Sequence, residues 1–266
     1  MKWAVAGKGG VGKTTLCAGL GRSLAAAGRS VVLIDSDPDP NLAASLGLPI
    51  EDERLQPLVD SRELIEERIG TEGMLRLNPD VSDIPEKHQI HVAPDISLLV
   101  VGAIQQGGAG CACSANVLVR SLIQHFLLND QQDVLVDLEA GVEHLGRATV
   151  GRVDALLAVA EPTPRSIDTV SRIRRLAHEI NLDRVRVIAN RISSSDDLAA
   201  VRQGVHPLPV VGCVGVHAGV RQADLERHDA YLNCQPFAEE IDTIRDNLMT
   251  DADAPGATCS VEAVDT

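Results

Sequence analysis

Residues 7–15 form a short segment with four glycines and two lysines, and its sequence is GKGGVGKTT. The spacing fits G-x-x-x-x-G-K-[ST], the pattern of a phosphate-binding loop. Glycines allow backbone N–H groups to surround phosphate oxygens where a Cβ would clash. Lys13 can reach the β- and γ-phosphates of a nucleotide, and the Thr14 hydroxyl can bind Mg²⁺. The predicted nucleotide contacts of the loop are Gly9, Gly10, Val11, Gly12, Lys13, Thr14 and Thr15.

A second lysine, Lys8, follows the first glycine of this loop. The chain has 24 Lys and Arg residues, but few of them are lysines, and two of these lie in the loop. This bias indicates that the loop favours an ammonium group over a guanidinium group. We expect Lys8 to touch phosphate, either in its own subunit or in a facing one. The alternative is a lysine that is merely solvated.

Carboxylates follow two predicted strands. Asp37 lies in the segment DSDPDP after the second strand, where a carboxylate can orient attacking water or hold Mg²⁺-bound water. Its alternative role is that of an Asp-Pro turn. Asp137 ends the apolar run DVLVD and precedes Gly141, which predicts a Walker B aspartate leading into a switch loop. An acidic strand terminus is the alternative.

Asn190 follows the apolar run VRVIA and is a candidate contact of the nucleotide base. Its side-chain amide can donate to and accept from the adenine edge at once. GTP-specific proteins carry N-K-x-D at such a position, and the missing Asp favours ATP over GTP. A capping or turn role for Asn190 is the alternative.

Two cysteines, Cys111 and Cys113, follow a glycine-rich run and precede a helix that is predicted to start near Ser114. In an extended segment both thiols can lie on one side, and a helix N-terminus would favour their thiolate forms. Two ligands rarely make a tight site, but a symmetric dimer supplies four sulfurs. Such a site can hold Zn²⁺ or Ni²⁺. Two small buried side chains or a redox pair are the alternatives.

Strand and helix patterns alternate to about residue 250 and predict one α/β domain, with a mostly parallel sheet covered by helices on both faces. Residues 51–95 are predicted to be an irregular insertion with one helix over 60–69. Residues 251–266 are polar and acidic, and we expect them to be disordered. The predicted strands cover residues 2–6, 30–35, 97–102, 133–137, 155–160 and 185–190.

The net charge is −14. An acidic chain is poorly suited to bind nucleic acid or an anionic membrane, because both reward Lys and Arg. No apolar run approaches the ~20 residues needed to span a bilayer, and the start of the chain does not resemble a signal peptide. We therefore expect a cytoplasmic protein whose six cysteines do not form a disulfide framework.

The loop with its second lysine resembles the deviant Walker A loop of the MinD/ParA/nitrogenase iron protein superfamily of P-loop NTPases. Together with IDSDPDPNLAASLGL, the C-x-C motif, DLEAGVEHLGR and VIANRI, it resembles the CooC-type ATPases that mature nickel carbon monoxide dehydrogenase. The resemblance implies an ATP-dependent homodimer that carries Ni²⁺, or Zn²⁺, between C-x-C motifs to an apo nickel enzyme. It also implies that Lys8 reaches the partner's phosphates. The client is open, since acetyl-CoA synthase maturation factors share these motifs.

The chain departs from this pattern at two places. Members usually carry Pro-Tyr near the adenine, where this chain has Val214-Gly-Val-His217, so the base contacts there stay open. Glu139 stands where related loops often have a small residue or Pro. We expect His144 and His217 to be structural or to face solvent, and metal binding is the alternative.

Two other classes of function compete with metal delivery. An iron–sulfur reductase or cluster carrier of the same superfamily could use four cysteines across a dimer. A MinD/ParA-type positioning ATPase would need a basic C-terminal helix or a basic surface, and the charge of the chain disfavours both.

Overall fold

The computed structural model describes residues 1–49, 53–70, 76–103, 111–129, 132–139, 145 and 152–250, with side chains of the range 111–129 described from Ser114 onward. Eight strands form one sheet: β1 (Lys2–Gly7), β2 (Val31–Ser36), β3 (Ile90–Ala93), β4 (Ile96–Val100), β5 (Asp133–Leu138), β6 (Ala155–Ala160), β7 (Val185–Ile192) and β8 (Val210–Gly215).

The helices among the described residues connect these strands. They are α1 (Lys13–Ala26), α2 (Leu42–Ser45), α3 (Arg62–Arg68), α4 (Ile84–His88), α5 (Cys111–Leu128), α6 (Pro164–Glu179), α7 (Ser195–Val205), α8 (Ala218–Glu226), α9 (Ala230–Asn233) and α10 (Gln235–Met249), with 3₁₀ helices at Glu53–Leu55 and Leu58–Asp60. None of the helices in this part of the chain combines the length and the apolar character that crossing a membrane requires.

The strand order is β3-β4-β2-β5-β1-β6-β7-β8, and β3 alone in this sheet pairs antiparallel. All six residues of β1, β2, β5 and β6 are buried, as expected for parallel strands with helices on both faces. Because β1 lies between β5 and β6, the loops that follow the central strands meet at one edge of the sheet. This edge carries the candidate site.

Side chains that alternate along β1 divide the core into two layers. Ala4 and Ala6 face the layer formed by α3, α5, α6 and α7, whereas Trp3 and Val5 face the layer formed by α1, α8, α9 and α10. The period of two in a strand therefore assigns each helix to one face of the sheet. The predicted fold class, a mostly parallel α/β sheet with helices on both faces, is confirmed.

The sequence pattern missed several elements, and three of them form part of the sheet or its helical layers. β3 is a short antiparallel edge strand inside the segment predicted to be irregular, so part of residues 51–95 belongs to the sheet. β8 contains Gly212 and Gly215, and glycine is depleted in strands. α7 is short and acidic, although Ser194 caps it by accepting a hydrogen bond from the Asp197 N–H. The predicted tail, 251–266, lies outside the described residues.

The start of α5 differs from the prediction. The helix begins at Cys111 rather than near Ser114, so the backbone of the C-x-C motif is helical and the expected extended segment is wrong. The physical reason is that no glycine or proline occurs between Cys111 and Ser114, so nothing in that stretch breaks the helix. The side chains of Cys111 and Cys113 lie outside the described part of the structure.

A buried lysine joins β1 to the end of α5. Lys2 is 7 % exposed, and its ammonium group donates to the carbonyls of Phe126 (3.0 Å), Gln132 (2.8 Å) and Asn129. A cation at a helix C-terminus is favourable, because the last carbonyls have no partner within the helix. The strand that leads into the phosphate loop thus also holds the helix that begins with the C-x-C motif.

We predict that Lys2→Met lowers the free energy of unfolding by about 1–3 kcal/mol, because buried carbonyls lose their donor while the volume stays similar. Urea denaturation followed by circular dichroism measures this change. Lys87→Met is the matched control, because the Lys87 side chain is 61 % exposed and should matter little. A Lys2→Met protein as stable as the wild type would show that the desolvation cost of the ammonium cancels its hydrogen bonds.

Candidate nucleotide-binding site

The loop between β1 and α1 has a backbone that only glycine adopts readily. Gly10 has φ 75° and Gly12 has φ 94°, both in the left-handed region. A Cβ on Gly12 would lie 2.4 Å from Nδ2 of Asn190. That nitrogen donates a 2.7 Å hydrogen bond to the carbonyl of Val11. Asn190 therefore holds the loop through its backbone, a contact that the sequence did not reveal.

A cavity of about 680 Å³ opens beside this loop at the carboxyl edge of the sheet. Its volume suits a nucleotide. Six of the predicted residues line it, namely Gly9, Gly10, Gly12, Lys13, Thr14 and Thr15, together with Asp37 and Asn190. Val11 is buried behind the loop and packs in the core, so its predicted contact could come from its backbone alone. The sequence thus brings most of its candidate residues to one place.

Two aspartates lie side by side at the ends of β2 and β5. Asp35 and Asp137 are paired in the strand register, and both are fully buried. Neither carboxylate oxygen of Asp137 has a hydrogen-bond partner among the described residues. Burial raises the pKa of Asp137 to about 7, although Thr14 and Lys13 favour its charged form. An orphaned carboxylate beside a hydroxyl fits Mg²⁺ and its bound water, so these residues suit that cofactor.

Asp35 is tied to the segment that follows β2. Its carboxylate accepts hydrogen bonds from the backbone N–H groups of Leu42 (2.9 Å) and Asp37 (3.2 Å). Burial first, and the charge of Asp137 second, raise the pKa of Asp35 to about 8, against the effect of these two bonds. Because two adjacent buried carboxylates cannot both ionise cheaply, the pair holds a proton near neutral pH.

Asp37 lies half-buried in the wall of the cavity. Its Oδ1 accepts a hydrogen bond from the Asp39 N–H at 3.0 Å, which is the turn contact that the alternative interpretation required. The turn leaves the carboxylate in the cavity, so both interpretations are compatible. Glu139, Asp39 and Asn41 line the same region and add polar groups that the sequence did not assign.

Lys8 does not line this cavity. Its ammonium group lies 3.0 Å from Oε1 of Glu161, which also accepts a hydrogen bond from the Thr163 hydroxyl at 3.2 Å. Oε2 of Glu161 accepts one from Arg191 at 3.3 Å. Partial burial raises the pKa of Glu161, but Lys8, Thr163 and Arg191 lower it more, so the net shift is downward. Glu161 and Arg191 are site residues that sequence reasoning missed.

The cavity also has apolar lining residues. Val214, Val216, Val220 and Phe237 line it, beside Arg221 and Asp224. His217 also lines it and lies 2.7 Å from a carboxylate oxygen of Glu240, which accepts the Gly215 N–H as well. The sequence predicted a structural or solvent-facing His217 and did not predict that it lines the cavity. An apolar slot with a few polar groups is suited to a flat base. His144 lies outside the described residues.

The segment that leads to the C-x-C motif starts beside this site. After β4, the N–H groups of Val101 (2.9 Å) and Gly102 (3.0 Å) both donate to the carbonyl of Asp35. The same residue therefore holds the end of β4 with its backbone and the segment after β2 with its side chain. Within the described residues no cluster of His, Cys, Asp and Glu could hold a metal ion, and this range excludes the thiols of Cys111 and Cys113.

Comparison with known proteins supports a nucleotide-binding role for this cavity. The model of the CobQ/CobB/MinD/ParA nucleotide binding domain matches residues 3–228. The carbon monoxide dehydrogenase accessory protein CooC of Rhodospirillum rubrum is 39 % identical over 239 residues, 88 % of this chain and 89 % of its own length. An uncharacterized ATP-binding protein of Methanocaldococcus jannaschii is 39 % identical over 201 residues, 74 % of this chain and 77 % of its own.

Solved structures share the fold at lower identity. The septum site-determining protein MinD of Pyrococcus horikoshii, solved with Mg-ADP, has a TM-score of 0.68 at 19 % identity and covers 97 % of this chain and 99 % of its own. The MinC:MinD complex of Aquifex aeolicus has a TM-score of 0.67 at 22 % identity, with coverages of 94 % and 96 %. These similarities concern the fold alone.

We predict that Gly12→Ala weakens ATP binding by about 10–100-fold, because strained backbone of this kind costs on the order of 1–3 kcal/mol and the new Cβ meets Asn190. Titration with a fluorescent ATP analogue measures this loss. Gly28→Ala is the matched control, since Gly28 has φ 77° with no atom within 4 Å of the added Cβ. Equal nucleotide affinities of the two variants would contradict a role for the close approach of Gly12 and Asn190.

We also predict that the nucleotide-free protein loses stability as the pH rises from about 4 to about 7–8. The folded-state pKa values of Asp35 and Asp137 lie above the ordinary carboxyl value of 3.8, so the contribution of this pair is full below about pH 4. Stability then falls because the unfolded chain releases protons that the folded pair keeps, and it levels off as the folded pair deprotonates. Each such proton gives a slope of about 1.4 kcal/mol per pH unit. Urea denaturation across this range measures the slope.

Asp137→Asn should flatten this dependence, because the neutral amide removes the repulsion. Asp183→Asn is the control, since the Asp183 side chain is 79 % exposed and should leave the slope unchanged. A wild-type protein whose stability stays constant over this range would show that the two carboxylates do not share a proton.

Proposed function

The chain belongs to the CobQ/CobB/MinD/ParA family of nucleotide-binding proteins and to its CooC-type branch of accessory ATPases, and we propose that it is an ATP-dependent nickel chaperone. In this proposal it dimerises, holds Ni²⁺ or Zn²⁺ through Cys111 and Cys113, and inserts nickel into apo carbon monoxide dehydrogenase. The observation that carries the proposal is the presence of one nucleotide cavity and one C-x-C helix in a chain so similar to CooC.

The residues of the cavity suit hydrolysis of ATP to ADP and phosphate. In the proposed reaction, Lys13 binds the β- and γ-phosphates, and Thr14 and Asp137 hold Mg²⁺, which neutralises phosphate charge when bound. Asp37 orients the water whose oxygen attacks the γ-phosphorus as the bond to the bridging oxygen breaks. Lys8 from the second protomer neutralises the charge that develops on the leaving oxygens.

Asn190 can still contribute to base recognition in this proposal. Its NH₂ group donates to the Val11 carbonyl, and its carbonyl oxygen can accept a second hydrogen bond. The adenine amino group is a donor of the required kind. The apolar residues Val214 and Val216 suit the faces of the purine ring.

Contacts around Asp35 offer a route from hydrolysis to metal release. The Asp35 side chain pairs with Asp137 and holds the segment that carries Asp37, while its carbonyl holds Val101 and Gly102 at the start of the path to Cys111. Loss of the γ-phosphate would move the segment after β2 and the loop after Asp137. A shift of Asp35 would then change the position of α5 and of its cysteines.

Two protomers are required for the metal step in this proposal. The C-x-C motif of one chain offers two thiols, and a symmetric dimer offers the four that Zn²⁺ takes tetrahedrally or Ni²⁺ in a flatter arrangement. The partner is thus a second copy of the chain, and the client is an apo nickel enzyme, carbon monoxide dehydrogenase or acetyl-CoA synthase. We expect no nucleic acid or membrane partner, and a cytoplasmic location.

We predict that the ATP-bound dimer binds one Ni²⁺ or Zn²⁺ per two chains, and that Cys111→Ala/Cys113→Ala abolishes this binding. Anaerobic light scattering gives the mass, and elemental analysis gives the metal stoichiometry. Cys234→Ala is the matched control, because Cys234 is buried and free. Nickel-free carbon monoxide dehydrogenase or acetyl-CoA synthase, mixed with each variant, Ni²⁺ and ATP, then identifies the client by its activation.

Each other outcome points elsewhere. Undiminished metal binding by the double cysteine variant would exclude the C-x-C motif as the metal site. A brown, iron-containing protein after anaerobic purification would favour an iron–sulfur carrier. Sedimentation with liposomes or plasmid DNA at modest salt would favour a positioning ATPase.

A further inference from the structure

Glu161 shares its carboxylate between two cations that belong to different elements. Lys8 comes from the phosphate loop, Arg191 from β7, and Glu161 from the end of β6. The Glu161 side chain is 13 % exposed, so its charge depends on these partners more than a solvated charge would. We call these three residues the Lys8–Glu161–Arg191 triad.

The surroundings of Glu161 fix its carboxylate in this place. Its backbone N–H donates to the Ser166 hydroxyl at 3.1 Å, and Thr163 caps α6 by accepting the Ser166 N–H at 3.3 Å. The Thr163 hydroxyl in turn donates to the Glu161 carboxylate. The N-terminus of α6 thereby orients Glu161, and a preorganised acceptor for Lys8 results.

Arg191 occupies a backbone conformation that is unusual for its residue type. Its φ is 58°, and it lies where the register between β7 and β8 shifts. Non-glycine residues in this region carry strain, which marks functional sites more often than ordinary strand positions. The bulge places the guanidinium against Glu161 and also in the wall of the nucleotide cavity.

We propose that Glu161 is a positioning residue that stores Lys8 outside the nucleotide cavity of the single chain and releases it when two chains close around ATP. The inference rests on the proposed dimerisation. In the single chain Lys8 contacts Glu161 and does not line the cavity. On closure, the ammonium group exchanges the carboxylate for the phosphates of the facing protomer.

Arg191 lowers the free-energy cost of separating Lys8 from Glu161. A half-buried carboxylate left without a partner would carry a large desolvation penalty. Arg191 stays on Oε2 when Lys8 leaves Oε1, so Glu161 remains paired in both states. The triad is thus built for one cation that moves and one that stays.

The test compares Glu161→Gln with wild type in the full-length protein. A partly exposed ion pair of this type favours the Lys8–Glu161 contact over a free Lys8 by a factor of about 1.5–5 per protomer. Because a dimer must break two such pairs, Glu161→Gln should lower the dimer Kd, measured with a non-hydrolysable ATP analogue, by about 2–30-fold. Sedimentation velocity over a range of protein concentrations measures this constant. Glu66→Gln is the matched control, because Glu66 pairs with Arg62 on α3, and its Kd should equal that of the wild type.

Further variants separate positioning from a structural role. Glu161→Asp, which keeps the charge, should return the dimer Kd toward the wild-type value. Glu161→Gln should not restore dimerisation to Lys8→Ala, since it acts only through Lys8. An unchanged or raised dimer Kd in Glu161→Gln would overturn the proposal. A loss of ADP affinity as large as the change in the dimer Kd would overturn it too.

A second measurement does not depend on dimerisation. The urea midpoints of wild type, Lys8→Ala, Glu161→Gln and the double variant form a cycle in the absence of nucleotide. Non-additive shifts that shrink at high salt are expected for a Lys8–Glu161 pair, and additive shifts would overturn it. A wild-type protein that never dimerises would instead contradict the proposed function while this cycle still tests the pair.

Discussion

The register between β2 and β5 places two buried carboxylates side by side at the carboxyl edge of the sheet. Asp137 lies next to the phosphate loop without a hydrogen-bond partner among the described residues, and Asp35 holds the segments that follow β2 and β4. Two adjacent buried carboxylates are costly in the empty protein, where they hold a proton near neutral pH. The pair becomes favourable when a divalent cation and phosphates enter, so the site is built for its ligand at the expense of the apoprotein.

Glycine geometry and one amide shape the other side of the site. The left-handed backbone at Gly12 lets the loop approach Asn190, and Asn190 returns a hydrogen bond to the loop. β1 connects this loop to Lys2, which binds the end of α5. The phosphate loop and the C-x-C helix are therefore held by the two ends of a single central strand.

The proposed cycle depends on a few contacts that can exist in two states. The Glu161 carboxylate competes with phosphate for the ammonium group of Lys8. The segment that Asp35 holds would move when the γ-phosphate is lost. Both contacts involve charges in partly desolvated places, where a change of partner alters the energy more than it would in water. The net charge of −14 does not predict these local changes of partner, because it sums the charges of the whole chain.

Residue types and spacing alone determined the fold class and the phosphate-binding part of the cavity. A phosphate loop needs a strand before it and a helix after it, so GKGGVGKTT and its flanks placed β1, α1, Lys13 and Thr14. Tertiary structure alone decided the rest. The strands β3 and β8 depend on neighbouring elements rather than on local pattern. The contacts of Lys8 with Glu161 and of Asn190 with Val11 join residues 153 and 179 positions apart. No local sequence rule encodes such pairs, because the register of a parallel sheet brings them together only when the whole sheet has formed.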